Sequence, residues 1–187
     1  ADTVMLGYAL PTNRPFNPAW AEEGADDGDM GRSPEEAAEL LDRAGFKADT
    51  LGRRSYNGKS IELVIAVNSE NRLRVQMAQA IEHFLENVGL SAEVRAMKQD
   101  DYQKALSKRD YDIYIGEVKL QNDMDITPLI SSGVNFTGKK SAVLEAAVRS
   151  FNVGEMDISE LTQIFGSEMP ILPVFFKKGT LIITRRV

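Results

Sequence analysis

Between Ile61 and Val118 the apolar positions change period in a regular way. Ile61, Leu63, Ile65 and Val67 alternate, and Val64 and Ala66 fill the places between them. Both faces of this stretch are therefore apolar, as in a strand buried within a parallel sheet. Leu73, Met77, Ile81, Phe84 and Val88 then recur every three or four residues. That spacing predicts a helix over 71–88 with those five side chains toward the sheet. Asn68 or Ser69 is placed to cap it and Gly89 to end it. Ala92, Val94 and Ala96 return to period two, a second strand. Asp100 with Gln103 opens a short helix reaching about Lys108, and Tyr111 to Val118 reads as a third strand. The order β-α-β-α-β with short links predicts parallel strands at 60–67, 91–97 and 111–117 joined by helical crossovers.

The flanks are less regular. Thr3 to Leu10 reads as a strand, and Pro11, Pro15 and Pro18 force an extended path after it. Residues 22–29 are acidic and Gly-rich, a solvated loop. A calcium loop fails there, because the twelfth position counted from Asp26 or Asp27 is Ala37 or Ala38 instead of a glutamate. Ser33-Pro34-Glu35-Glu36 is a capping box with proline in the first turn. The helix it starts carries Ala37, Leu40, Leu41 and Ala44 on one face. Gly45 stops it, and Phe46 is expected to fold back onto Leu41. Arg53 to Gly58 reads as a turn-rich link. Ser141 to Phe151 predicts a helix that packs Val143, Leu144, Ala147, Val148 and Phe151. Asp157 caps a last helix with Glu160 in the box position and Met156 set to staple onto Leu161; Leu161, Ile164 and Phe165 form its core face. Pro170 to Phe176 and Thr180 to Thr184 read as strands on either side of a turn at Lys177-Lys178-Gly179. No internal repeat or low-complexity tract occurs.

Composition narrows the chemistry. The chain has 187 residues, 43% of them hydrophobic, enough to bury a real core as one domain. A net charge of -6 argues against a nucleic-acid groove, which needs a clustered basic face. With no cysteine there is no disulfide scaffold, thiolate metal site or cysteine nucleophile. No apolar run approaches the ~20 residues needed to span a membrane. The single histidine, His83, falls on the polar face of the long helix with Gln76, Gln79 and Glu86, so a serine triad has no centre. Neither G-x-G-x-x-G nor G-x-x-x-x-G-K is present. These features predict no enzyme, no cofactor and no metal.

Carboxylates at the sheet edge remain. In an open α/β sheet, ligands meet the carboxyl ends of the strands. The run Asp110-Tyr111-Asp112-Ile113-Tyr114-Ile115-Gly116-Glu117 ends there, with Asp123 and Asp125 beyond it. Glycosidase chemistry needs two carboxyls flanking a sugar in a cleft, and the one tryptophan, Trp20, is remote in sequence. Two readings stay open for Asp123, Asp125 and Glu117. They either solvate and cap the loop, Asp125 capping a turn at Thr127-Pro128, or they receive a cationic ligand group.

Six segments, in order, resemble the family 5 extracellular solute-binding proteins, the peptide- and nickel-type components of ABC importers. Residues 33–46 look like that family's helix ending in LL-x-x-AG, and Ile61 to Ile65 like its following strand. Residues 78–90 resemble its A-x-x-I-x-x-x-L-x-x-x-G helix. Tyr111-Asp112-Ile113 resembles its YD-I strand, Asn135-Phe136-Thr137-Gly138 its N-x-x-G turn, and Pro170 to Phe176 its P-x-x-P return strand. Asn135-Phe136-Thr137 also fits a glycosylation acceptor, which carries no weight in a bacterial-looking chain.

The resemblance implies an α/β, type II periplasmic-binding-protein-like lobe with a mainly parallel central sheet flanked by helices. Residues 1–187 would be a single lobe from a larger two-lobed clamshell, with 1–10 and 180–187 as hinge-side strands. It also implies a peptide or other small solute as ligand, with the missing lobe and an ABC permease as partners. The expected protein is a monomer that binds no nucleic acid and is extracellular, as a cell-surface lipoprotein or in the periplasm. In peptide-binding members an aspartate after the YD-I strand holds the ligand's amino group. That position falls on Asp125 or Asp123, with Glu117 and Asn135 as further ligand-side residues. The glycine-tryptophan expected after that strand is absent, Gly116-Glu117-Val118-Lys119 standing there instead. The rival reading is a standalone α/β enzyme or ligand-sensing domain that shares only the architecture.

Overall fold

The computed structural model describes residues 9–18, 33–120, 125–130 and 140–177. It contains two compact units. One, the middle unit, is Asp29–Lys119; the other, the terminal unit, joins Ala1–Gly28 to Leu120–Val187. The first element in chain order, strand β1 (Ala9–Pro11), belongs to the terminal unit.

The middle unit opens with helix α1 (Pro34–Arg43). Its start is the expected reciprocal cap. The Ser33 hydroxyl accepts from the Glu36 N–H at 3.2 Å, and the Glu36 carboxylate accepts from the Ser33 N–H at 3.3 Å. Gly45, at φ +92°, takes the left-handed place just past the helix end. Phe46 then enters a strand, and its ring meets Tyr56 with centroids 5.0 Å apart.

Arg53 to Gly58 is not merely a link. It contributes to a three-stranded antiparallel sheet of β2 (Phe46–Ala48), β3 (Arg54–Tyr56) and β4 (Lys59–Ser60). Strands of two or three residues are too short for alternation to register. The legible signal is Asn57-Gly58. Both residues take positive φ, +51° and +74°, between the paired Tyr56 and Lys59, as a two-residue hairpin turn requires.

The central sheet is parallel in the order β6-β5-β7. Strand β5 (Glu62–Asn68) pairs with β6 (Ser91–Met97) from Glu62↔Ser91 to Asn68↔Met97. On its other side β5 pairs with β7 (Ile113–Ile115) from Ile65↔Ile113 to Val67↔Ile115. Helices α2 (Arg72–Asn87) and α3 (Gln99–Lys108) make the two crossovers. Strand β7 is shorter than the expected Tyr111–Val118. At its start the Asp112 carboxylate accepts from the Val64 N–H at 2.8 Å, while the Asp112 N–H donates to the Val64 carbonyl at 3.0 Å. A side chain thus takes over part of the ladder.

Two expected caps move. Asn71, not Asn68 or Ser69, caps α2 by accepting from the Arg74 N–H at 3.1 Å. Lys98, not Asp100, occupies the cap position of α3, without a side-chain bond. Asp100 and Asp101 lie instead inside the first turn, where carboxylates complement the positive helix end.

The buried face of α2 also differs from the spacing argument. Ile65, Val67 and Ala78 are fully enclosed, with Val75, Met77, Ile81 and Leu85 packed around them. Leu73 is 40% exposed and Phe84 66% exposed. Those two lie roughly a third of a turn from Ala78 on a helix of 3.6 residues per turn. Ala78 is the one residue of α2 fully buried against the sheet, and Leu73 and Phe84 are left at the rim.

In the terminal unit, β1 pairs antiparallel with β8 (Phe175–Lys177), from Ala9↔Lys177 to Pro11↔Phe175. Between them lie α4 (Thr127–Ile130), α5 (Ala142–Asn152) and α6 (Ile158–Glu168). Ser141 and Asp157 cap the longer two, accepting from the Leu144 and Glu160 N–H groups at 3.0 and 2.8 Å. Leu144, Ala147, Val148, Leu161 and Phe165 are buried, and Phe16 meets Phe151 with ring centroids 5.7 Å apart. Val143, expected in this core, is 60% exposed. The return strand covers only the end of the expected Pro170–Phe176. The strand expected over Thr180–Thr184 lies outside the described residues, as do residues 1–8 of the expected hinge-side strand.

Candidate functional site

The carboxyl edge of the middle unit's sheet is where β5, β6 and β7 end, at Asn68, Met97 and Ile115. Side chains organise it. Asn68 is 7% exposed, and both halves of its amide are used. Its oxygen accepts from the Glu70 N–H at 2.8 Å, and its nitrogen donates to the Gln99 side-chain oxygen. Tyr102, on α3, is 3% exposed and donates its hydroxyl to the Ile115 carbonyl at 2.8 Å. Burial pushes the Tyr102 hydroxyl up to about 12, against the pull of the nearby Arg74 guanidinium.

Glu117, two residues past β7, pairs with Arg74 in the first turn of α2. The Arg74 Nη2 to Glu117 Oε2 distance is 2.7 Å, with side-chain exposures of 22% and 41%. The Arg74 Nε–H is buried and meets no hydrogen-bond acceptor among the described residues. The linear sequence singles out Glu117 but neither Arg74 nor Tyr102. Arg74 falls among the apolar positions of α2, and nothing in linear spacing marks it as the partner of a residue 43 places later.

Asp125 belongs to the terminal unit. Its Oδ1 accepts from the Thr127 N–H at 2.9 Å, from the Thr127 hydroxyl, and from the Asn152 side-chain nitrogen at 3.2 Å. This is an Asx turn that leads into α4, so the local turn-capping role read from Asp125 and Thr127 is present. The Thr127 hydroxyl, first of all, holds the Asp125 carboxyl below its usual range, partial burial opposing it. Asp123 and Asn135 lie outside the described residues.

A stability prediction follows from this turn. A carboxyl whose folded-state pKa is lowered contributes above its unfolded value, near pH 3.9, and loses that contribution as pH falls through the folded value. Asp125→Ala should cost about 1 kcal/mol at pH 7 through the lost turn bonds. The deficit should shrink as acid protonates the wild-type carboxyl. Urea unfolding at pH 7 and pH 3 checks this; an equal deficit at both would contradict it.

Other features offer less. A hollow lined by Ile130, Ser141, Leu144 and Pro170 has a volume of about 10 Å³, at the threshold for a single water. No group of three or more His, Asp or Glu among the described residues is placed to hold a metal ion. No helix among them is long and apolar enough to cross a membrane.

The fold is that of a type II periplasmic-binding-protein-like lobe, an α/β architecture with a parallel sheet and flanking helices. The sequence profile described as bacterial extracellular solute-binding proteins, family 5 Middle, matches residues 1–135. The chain belongs to that family. No curated protein sequence matches it. Among solved structures, the chain is similar to the oligopeptide-binding protein AppA of Bacillus subtilis in complex with a nonapeptide. The TM-score is 0.76 at 16% identity, covering 94% of this chain and 38% of that one. It is similar to NikZ of Campylobacter jejuni in complex with Ni(L-His), with TM-score 0.74 at 18% identity, covering 94% and 38%. It is also similar to a mannohexaose-bound periplasmic oligopeptide-binding protein of Thermotoga maritima, with TM-score 0.75 at 18% identity, covering 95% and 39%. The chain thus spans less than two fifths of the length of each of these proteins.

Proposed function

We propose that this chain is one lobe of a larger two-lobed extracytoplasmic protein that binds a solute, an oligopeptide in this reading, for an ABC importer. The protein hands ligand to a permease and catalyses nothing. The observation that carries this reading is the family membership, joined to a parallel sheet whose carboxyl edge is organised by Asn68, Tyr102 and the Arg74–Glu117 pair. Membership in an extracellular family favours a periplasmic or cell-surface location. Residues 1–10 and 180–187 are assigned to the hinge side.

The ligand-side residues in this proposal are Asp125, Asp123, Glu117 and Asn135. Asp125 leads, because it is a carboxylate oriented by Thr127 and Asn152 and held ionised to low pH. A carboxylate already fixed in place can accept charge-assisted hydrogen bonds from a ligand ammonium without further ordering.

The test is isothermal calorimetry on the full-length protein with a tetrapeptide. Asp125→Asn keeps an oxygen for the turn but removes the charge. It should weaken binding at least about tenfold, given that truncating a desolvated charge pair costs about 2–5 kcal/mol. Asp26→Asn should bind as wild type. Equal affinity for wild type and Asp125→Asn would limit Asp125 to its turn and shift the ligand contact to Asp123 or Glu117.

A further inference from the structure

We infer that Arg74 is a positioning residue. It holds Glu117 against α2 and thereby fixes the path of the segment that leaves β7, and Glu117 serves that clamp instead of meeting ligand directly. The inference rests on the solute-binding reading and changes the role assigned to Glu117 within it.

Two helices grip alternate positions of one strand exit. Tyr102 on α3 donates to the carbonyl of Ile115, the last residue of β7. Arg74 on α2 binds the carboxylate of Glu117, two residues on. Between the gripped positions lies Gly116, where a Cβ would come 3.1 Å from the Tyr114 ring. The strand exit therefore passes close against that ring, with the two gripped positions on either side.

The Arg74 guanidinium is committed to Glu117 through Nη2. Its Nε–H is buried without an acceptor among the described residues, while Nη2 makes a short charged contact with Glu117. The α2 N-terminus fixes the base of the side chain, because the Asn71 cap binds the Arg74 N–H itself. Arg74 therefore reaches Glu117 from an anchored backbone. A carboxylate held in such a pair presents little net charge to a ligand cation.

The experiment uses the full-length protein with Arg74→Gln, Arg74→Lys, Glu117→Gln and the double Gln variant. Hydrogen exchange reads the amides of Glu117 to Lys119. Calorimetry reads binding of a lysine-containing and an all-alanine tetrapeptide. Arg74→Gln and Glu117→Gln should each lower protection about twofold to fivefold, the range of a partly exposed ion pair and its local opening. Both should weaken both peptides in the same direction. The double variant should be no worse than the worse single one, because the two residues act as one unit. Arg74→Lys should recover part of the protection.

Opposite signs on the lysine peptide, tighter in Arg74→Gln and weaker in Glu117→Gln, would make Glu117 a direct ligand carboxylate and overturn the inference. Unchanged exchange in both single variants would overturn it too. If wild type binds neither peptide, the peptide reading fails, while the exchange data still decide the clamp. Should Arg74→Gln not fold, Glu117→Gln and Arg74→Lys decide the same question.

Discussion

Replacing Arg54 by alanine should destabilise the middle unit by about 3 kcal/mol or more. Arg54 is 8% exposed and lies at the meeting point of α1, the β2-β3-β4 sheet and the end of α2. Its Nη1 donates to Asp42 Oδ1 at 2.6 Å and to the Phe46 carbonyl at 2.7 Å. Its Nε donates to the Val88 carbonyl at 2.7 Å, and its Nη2 to the Ala38 carbonyl at 3.2 Å. Three of these four acceptors are backbone carbonyls, that of Val88 lying at the end of α2, that of Phe46 at the start of β2 and that of Ala38 within α1. Alanine strands them together and opens a void. Arg54→Lys should lose most of the same stability, since one ammonium cannot reach a fork of four acceptors. Arg53→Ala is the control. Its pair with Asp49 is exposed, 74% and 41%, so its loss should leave the unfolding midpoint nearly unchanged. Denaturant unfolding followed by circular dichroism measures all three. A loss below about 1 kcal/mol for Arg54→Ala would refute the account.

Gly89→Ala should be at least as damaging, for a steric reason. Gly89 ends α2 at φ +84°, and a Cβ built there would collide with the Gly52 carbonyl oxygen. That atom is backbone and cannot turn aside. The Gly89 carbonyl also accepts from the Arg54 N–H at 2.8 Å, so any shift would disturb the Arg54 junction. Gly58→Ala provides the comparison. Gly58 sits at φ +74° with open space around its Cα, so only the left-handed backbone penalty of about 1–2 kcal/mol applies. The expected order is Gly89→Ala well above Gly58→Ala, with Gly89→Ala accumulating as unfolded or aggregated protein. Similar midpoints for the two variants would show that the Gly52 loop yields easily.

Much of the middle unit was legible in the residues. A run apolar on both faces, a helical period and a return to period two specified β5, α2 and β6 and their parallel pairing. The Ser33–Glu36 box and the Asp157 and Ser141 caps were equally readable, because each is a contact within three residues. Reading failed where a contact spanned the fold. Leu73 and Phe84 satisfied the helical period but lie at the rim, because the helix turns the face carrying Ala78 to the sheet. The hairpin at Asn57-Gly58 was announced by its turn but hidden by strands too short to alternate.

The candidate site divides in the same way. Asp125 and Thr127 are two residues apart, so their turn could be anticipated from composition alone. The pairing of Glu117 with Arg74, and the seating of Tyr102 on Ile115, join residues 43 and 13 positions apart. What the sequence by itself determined was the set of local elements, their order and the family they belong to, because hydrophobic period, caps and turns act between near neighbours. Only the tertiary structure decided that Arg54 would hold four acceptors, that Gly89 would lie against Gly52, and that Glu117 would be answered by an arginine. Those outcomes depend on the packing of whole helices against the sheet, which brings together side chains that no short-range rule connects.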